Sequence, residues 1–254
     1  MRLTQNRVNL TPAGKLNWQI PLKNTLVCAL LNLKYMKPRL SNQRNHALTL
    51  VEVVVVIAVS FVLLIIAILP LAKEKAKQIS CYNTLRAGEC AFWIWAGDNN
   101  DKFPMELSTN VGGAKEPLMQ GKVCEMFLVM SNELSTPKIL ICPADSRIWA
   151  TNWSQFDNRH LSYFVGIDAS YNTNFSDASM SRFLFGDRNL TNEIGTDKNI
   201  LQLSIGQTAG WTAELHKNQG NICLANGAVL KLNNSNLRAA LQATGLATNR
   251  LAIP

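Results

Sequence analysis

Residues 47–72 read ALTLVEVVVVIAVSFVLLIIAILPLA. From Val53 to Leu69 only Ser60 is polar. Extended to Ala72, the run reaches the ~20 apolar residues that cross a hydrocarbon core as a helix. The plainer alternative is a buried core helix, but soluble core helices seldom run apolar all round for this long. It predicts a membrane helix over residues 48–72. The earlier stretch Ile20–Leu33 is too short for a second span and is interrupted by Lys23 and Asn24.

Charge is unevenly placed around this helix. Residues 1–47 carry Arg2, Arg7, Lys15, Lys23, Lys34, Lys37, Arg39 and Arg44 and no acid, which accounts for the whole net charge of +8. The rest of the chain is formally neutral. A nucleic-acid surface should lie on the folded domain rather than ahead of a hydrophobic segment, so no nucleic-acid partner is expected. After the helix, Lys73, Lys75, Lys77 and Arg86 are offset by Glu74 and Glu89. The bias places the N-terminus in the cytoplasm and the remainder across the inner membrane, periplasmic or extracellular.

Glu52 interrupts the apolar run. A charge there costs several kcal/mol unless it is paired or reaches the membrane surface. A cut before Leu48 would create a partner, a new α-amine four residues ahead of Glu52, on the same subunit or on a neighbour.

The segment ALTLVEVVVVIAVS resembles the processing signal of type IV prepilins and type II secretion pseudopilins. The resemblance implies that a prepilin peptidase cuts between Ala47 and Leu48 and methylates the new terminus. Thr49, Leu50 and Glu52 then follow as assembly residues, with Glu52 fifth in the mature chain. Ala47 stands where the family usually has Gly, and Leu48 where it has Phe. Pro70 interrupts the helix one residue later than usual. A start at Met36 would give MKPRLSNQRNHA, a short basic leader of the usual kind, against the 47-residue leader from Met1.

Beyond Pro70, Ile79, Tyr82, Leu85, Phe92 and Trp95 recur at helical spacing, with Gly97 and Pro104 as stops. One helix of roughly 70 Å, bent at Pro70, is expected to Ala96 or a little beyond. Its first half suits lipid or neighbouring subunits and its second half a globular head. AFWIWAGDNNDKFP (91–104), LICPAD (140–145), LSYFVGIDA (161–169), FGDRNLT (185–191) and LHKNQGNICLANGAV (215–229) resemble a pseudopilin-like group of Planctomycetes and Verrucomicrobia-type bacteria. With the processing signal, that resemblance spans most of residues 47–232.

The expected fold is α+β and pilin-like: a long N-terminal helix, its first half transmembrane, packed on a small antiparallel sheet with loop insertions. The segments are a leader (1–47), a membrane part (48–72), a soluble helical part (73–98) and a head (99–254). Ile139–Ile141 and Phe183–Phe185 read as buried strands. Asn221–Ala225 and Ala228–Leu232 flank Asn226-Gly227, a two-residue hairpin signal. Asn234 or Ser235 caps a last helix ending near Gly245. Residues 105–138 and 150–181 read as loop-rich insertions.

Few residues suggest chemistry. Asp98-Asn99-Asn100-Asp101 is an oxygen-rich run of the kind calcium takes, with a polar turn as the plainer reading, and Phe103 in the place of the turn glycine excludes an EF-hand. Asp187-Arg188 reads as a surface pair or a strut, His216 as a structural histidine, and Ser162 lacks a nucleophile elbow. Cys28, Cys81, Cys90, Cys124, Cys142 and Cys223 form no CxxC pair, and His46, His160 and His216 complete no metal-ligand spacing. Cys81 and Cys90 on one helix lie ~13 Å apart, beyond a disulfide's reach. Disulfide candidates in the head are Cys124, Cys142 and Cys223. No cofactor and no enzymatic activity are expected. Two functions compete: a fibre subunit assembled with other pilin or pseudopilin subunits, and a non-polymerising anchored protein whose head binds an exported partner.

Overall fold

The computed structural model describes residues 49–174 and 177–254. The leader, Met36, Ala47 and Leu48 lie outside them. The fold is α+β. Helix α1 runs Leu50–Asp98 and contains Pro70. From Leu50 to Leu69 every residue is exposed, the large apolar ones between 44% (Val53) and 80% (Leu50). Leaving that surface in water costs ~25 cal/mol for each Å² of apolar area. This one helix is long and apolar enough to cross a membrane.

The second half of α1 has one buried face: Cys81, Leu85, Gly88, Phe92 and Trp95, spaced three or four apart. Ile79 and Tyr82, expected on that face, are exposed. The stripe is set by Cys81, whose side chain points into the head.

Among the described residues the head has nine strands: β1 Tyr163–Gly166, β2 Phe183–Asp187, β3 Leu190–Asn192, β4 Thr196–Asp197, β5 Ile200–Ser204, β6 Ala209–Trp211, β7 Gln219–Leu224, β8 Val229–Asn233 and β9 Thr248–Ala252. Seven form an antiparallel sheet in the order β4-β5-β9-β1-β2-β7-β8, while β3 pairs with β6. Strands β1 and β2 are buried throughout because both sheet faces are covered. Phe92, Tyr163, Val165, Phe185 and Cys223 belong to one core, and Phe164, Phe183, Ile222, Leu224, Leu237 and Leu251 to another. A bulge inserts Leu184 between Phe183, opposite Leu224, and Phe185, opposite Cys223. The extra residue sends Phe185 to the first core although it lies two places from Phe183.

Phe185 explains a glycine inside α1. A Cβ on Gly88 would lie 2.6 Å from the Phe185 ring. That ring is held by Phe92, Phe127 and Tyr163, with centroids 5.3, 6.4 and 6.1 Å away. Gly88→Ala gains ~1 kcal/mol of helix propensity but meets overpacking worth ~1–3 kcal/mol. We expect net destabilisation of ~1 kcal/mol in denaturant unfolding, relieved by Phe185→Leu. A stabilised single variant would show that the ring yields freely.

Ile139–Ile141 is no strand: Pro137–Leu140 forms a 3-10 turn, with Pro137 opening it and Thr136 capping it. The hairpin at Asn226-Gly227 is longer than two residues. The Gly227 N–H donates to Leu224 O (3.0 Å), and only Gly227 takes positive φ (+81°), the three-residue form with a glycine bulge. The last helix, α5 (Asn234–Ala243), is capped by Asn233, whose Oδ1 accepts the N–H groups of Ser235 and Asn236. Residues 105–138 are no loop insertion. Helices α2 (Lys115–Met119), α3 (Val123–Val129) and α4 (Ser131–Leu134) bury Leu118, Met126, Phe127 and Leu134 in the first core. Residues 150–181 include β1 and three short 3-10 turns.

Candidate functional site

At the start of α1, the Thr49 N–H and Oγ1–H both donate to Glu52 Oε2, at 2.8 and 2.9 Å, and the Glu52 N–H donates to Thr49 Oγ1 at 3.3 Å. This is a capping box, with Thr49 as the cap and Glu52 three residues on. Leu50 projects into the surroundings beside it. The reading of Glu52 from charge alone missed this arrangement, although Thr-x-x-Glu before an apolar run is its sequence signature.

Asp98 and Asp101 close α1. The N–H groups of Asn99 and Asp101 both donate to Ala96 O at 3.0 Å, and Asn99 Nδ2 donates to Trp95 O at 2.8 Å. Asn100 and Asp101 take φ of 57° and 55°, a left-handed turn. Both aspartates are exposed, and among the described residues no group of three metal donors forms there.

The concentration of chemistry lies where α1 meets the sheet. Cys81 is bonded to Cys142, with Cα atoms 5.3 Å apart. Cys90, Cys124 and Cys223 are free thiols, so of the three head candidates only Cys142 is used. Burial raises the thiol of Cys223 beyond the usual range, which keeps it inert. His216 Nε2 lies 3.3 Å from Cys142 Sγ and 3.5 Å from Asp187 Oδ2. Because one ring nitrogen faces both groups, no relay passes through the ring from carboxylate to sulfur.

Each partner is held from a different element. His216, Lys217 and Asn218 all take positive φ (45°, 55°, 62°). Asn189 Nδ2 donates to the carbonyls of Thr212, Leu215 and Gln219, bracing that turn. Asp187, at the end of β2, accepts the N–H and Nδ2 of Asn221 on β7 at 2.7 and 2.9 Å. Arg188 points away from Asp187. It makes a two-bond contact with Asp145 (2.9 and 3.1 Å) and a third bond to Glu214 (2.9 Å). The Asp187-Arg188 dipeptide is therefore two struts rather than one pair.

Burial pushes Asp187 up from 3.8 to about 7, against the Asn221 hydrogen bonds, and pushes His216 below its usual 6.5. The two groups act oppositely on stability. Asp187 contributes fully below pH 3.8, and its contribution is lost as pH rises to about 7. His216 contributes above pH 6.5, and its contribution is lost as pH falls through its lowered value. Asp187→Asn is expected to flatten the fall in unfolding free energy between pH 4 and 7, roughly the interval between the two Asp187 values. Denaturant titrations at four pH values test this; equal slopes in wild type and variant would refute the assignment.

Neither Cys81, Cys142 and His216 as a set nor the His216–Asp187 contact is announced by local spacing, since their partners lie 61 and 74 residues apart or meet across separate strands. No family model matches the chain, no curated protein matches it, and no solved structure matches it.

Proposed function

We propose that this chain is a structural subunit of a type II secretion or type IV pilus-like fibre, processed before Leu48 and assembled through its N-terminal helix. The observation that carries the reading is the helix itself. Residues 50–69 expose an apolar surface on every side, with one carboxylate, Glu52, near the start. A plain anchor needs the apolar surface and uses the carboxylate only to cap its own helix. A subunit packed among other helices in a membrane or fibre uses both. In this reading the partners are a prepilin peptidase and other pilin or pseudopilin subunits, the N-terminus starts in the cytoplasm, and the head lies outside the inner membrane. The role is structural rather than enzymatic.

The capping box favours a second reading, a non-polymerising anchored binding protein, because Thr49 gives Glu52 a use within its own chain. Processing is tested by co-producing the chain with a prepilin peptidase and sequencing the membrane-extracted product. Methylated Leu48 is the expected first residue. An intact terminus at Met1 or Met36 would refute the proposal.

A further inference from the structure

The disulfide site holds a donor set that the disulfide itself does not need. The sulfurs of Cys81 and Cys142 and a ring nitrogen of His216 lie within 4.8 Å of one another. Both cysteines are fully buried, and the His216 side chain nearly so. Two thiolates and an imidazole are the ligands that zinc-class ions take, at ~2.3 Å to sulfur and ~2.0–2.1 Å to nitrogen. Around a tetrahedral ion those lengths require roughly 3.6 Å between S and N and roughly 3.3 Å between N and a carboxylate O. The observed separations are 3.3 Å from His216 Nε2 to Cys142 Sγ and 3.5 Å from the same nitrogen to Asp187 Oδ2. Nε2 thus faces sulfur and carboxylate together, with Asp187 standing beside the three-donor group rather than within it. Asp187 is fully buried, and its Oδ1 has no hydrogen-bond partner.

Three separate elements hold these groups in place: α1 carries Cys81, the segment after the Pro137–Leu140 turn carries Cys142, and the braced left-handed turn carries His216. The sulfurs of a tetrahedral site stand roughly 3.8 Å apart. Two thiolates can adopt that separation and a disulfide cannot.

We propose that the dithiol form of this protein binds one zinc-class divalent ion through Cys81, Cys142 and His216, beside the Asp187 carboxylate, and that forming the disulfide expels it. Newly made chains carry both cysteines as thiols. Binding displaces two thiol protons into solvent. A two-electron oxidant of the disulfide class then takes one electron from each thiolate, becomes two thiols with two protons from solvent, and leaves the Cys81–Cys142 bond and a free ion. A dithiol reductant runs the sequence backwards: it is oxidised to its own disulfide while the protein bond becomes two thiols. The site would hold α1 against the sheet before oxidation, and the disulfide would do so afterwards.

The test uses the full chain in detergent, purified with a phosphine reductant and titrated with Co²⁺ as the probe. One equivalent should bind, with thiolate-to-cobalt absorption in the near ultraviolet and tetrahedral bands in the visible. Zn²⁺ should displace it. The same preparation, oxidised to the Cys81–Cys142 bond, should lose both signals. Cys81→Ser and His216→Ala should each weaken binding about 100-fold. The Cys90→Ser/Cys124→Ser/Cys223→Ala variant, which keeps an apolar side chain at the buried position, should bind as wild type, which separates the site from these three thiols. Absence of stoichiometric binding by the reduced protein, a signal that persists in the oxidised protein, or a signal lost only in the triple variant would each overturn the proposal.

Discussion

Cys142→Ser is expected to lower the unfolding free energy of the head by ~4 kcal/mol, the largest stability effect of any single substitution considered. The bond to Cys81 closes a loop with a sequence separation of 61. Loop-closure entropy for that length is ~4 kcal/mol at room temperature. Both side chains are buried in the core that joins α1 to the sheet, so the folded state offers no relaxed alternative. Cys90→Ser, at an exposed free thiol, should be neutral. The buried indoles of Trp95 and Trp211 report the transition. Denaturant midpoints, followed by their fluorescence with and without reductant in metal-free buffer, separate the outcomes. Wild type should drop on reduction and Cys142→Ser should not. Equal midpoints for wild type and variant under oxidising conditions would mean that the bond adds nothing to the head.

The second large effect concerns assembly. Glu52 has two uses that substitution can separate. Gln keeps the capping geometry with Thr49 and loses the charge, while Val loses both. If Glu52 pairs with the α-amine of a neighbouring subunit, Gln leaves that amine unpaired away from water, at a cost of ~3–5 kcal/mol for a buried pair. A cost of that size at each subunit contact should remove Glu52→Gln and Glu52→Val alike from fibres, with membrane insertion unchanged. The measurement is co-assembly with wild-type partner subunits, scored in sheared fibres against total membrane protein. Normal entry of Glu52→Gln with failure of Glu52→Val would leave capping as the role of the residue. Normal entry of both would favour the non-polymerising anchor.

The long helix was legible because its signal is local. An all-round apolar run, a helical stripe and a polar stop can be read within one stretch of chain. The strand at Phe183–Phe185 and the pairing of residues near Asn221 with those near Leu232 were legible for the same reason. What failed was decided at a distance. Ile139–Ile141 has a strand's composition, but Pro137 and Thr136 turn it into a 3-10 segment that delivers Cys142 to α1. The apolar residues of 115–134 have helical spacing in pieces too short to stand out from loops. The site at Cys142 was invisible because Cys81, Asp187 and His216 reach it from three different elements. Motifs at Cys142-Pro143 and Leu215-His216 pointed to both places without showing that they touch.

The pairing of Cys81 with Cys142 also sets how the protein responds to proteases. A cut among residues 73–80 severs the apolar helix from everything the head needs, and should liberate a soluble, folded fragment. A cut anywhere between residues 82 and 141 breaks the backbone and yet frees nothing, because the disulfide spans the break. The nicked head stays tied to its own apolar helix until a reductant reaches the buried sulfurs. If the apolar span is the anchor proposed above, release of the intact head by a cut ahead of Cys142 is confined to a collar of about two helical turns just outside that span.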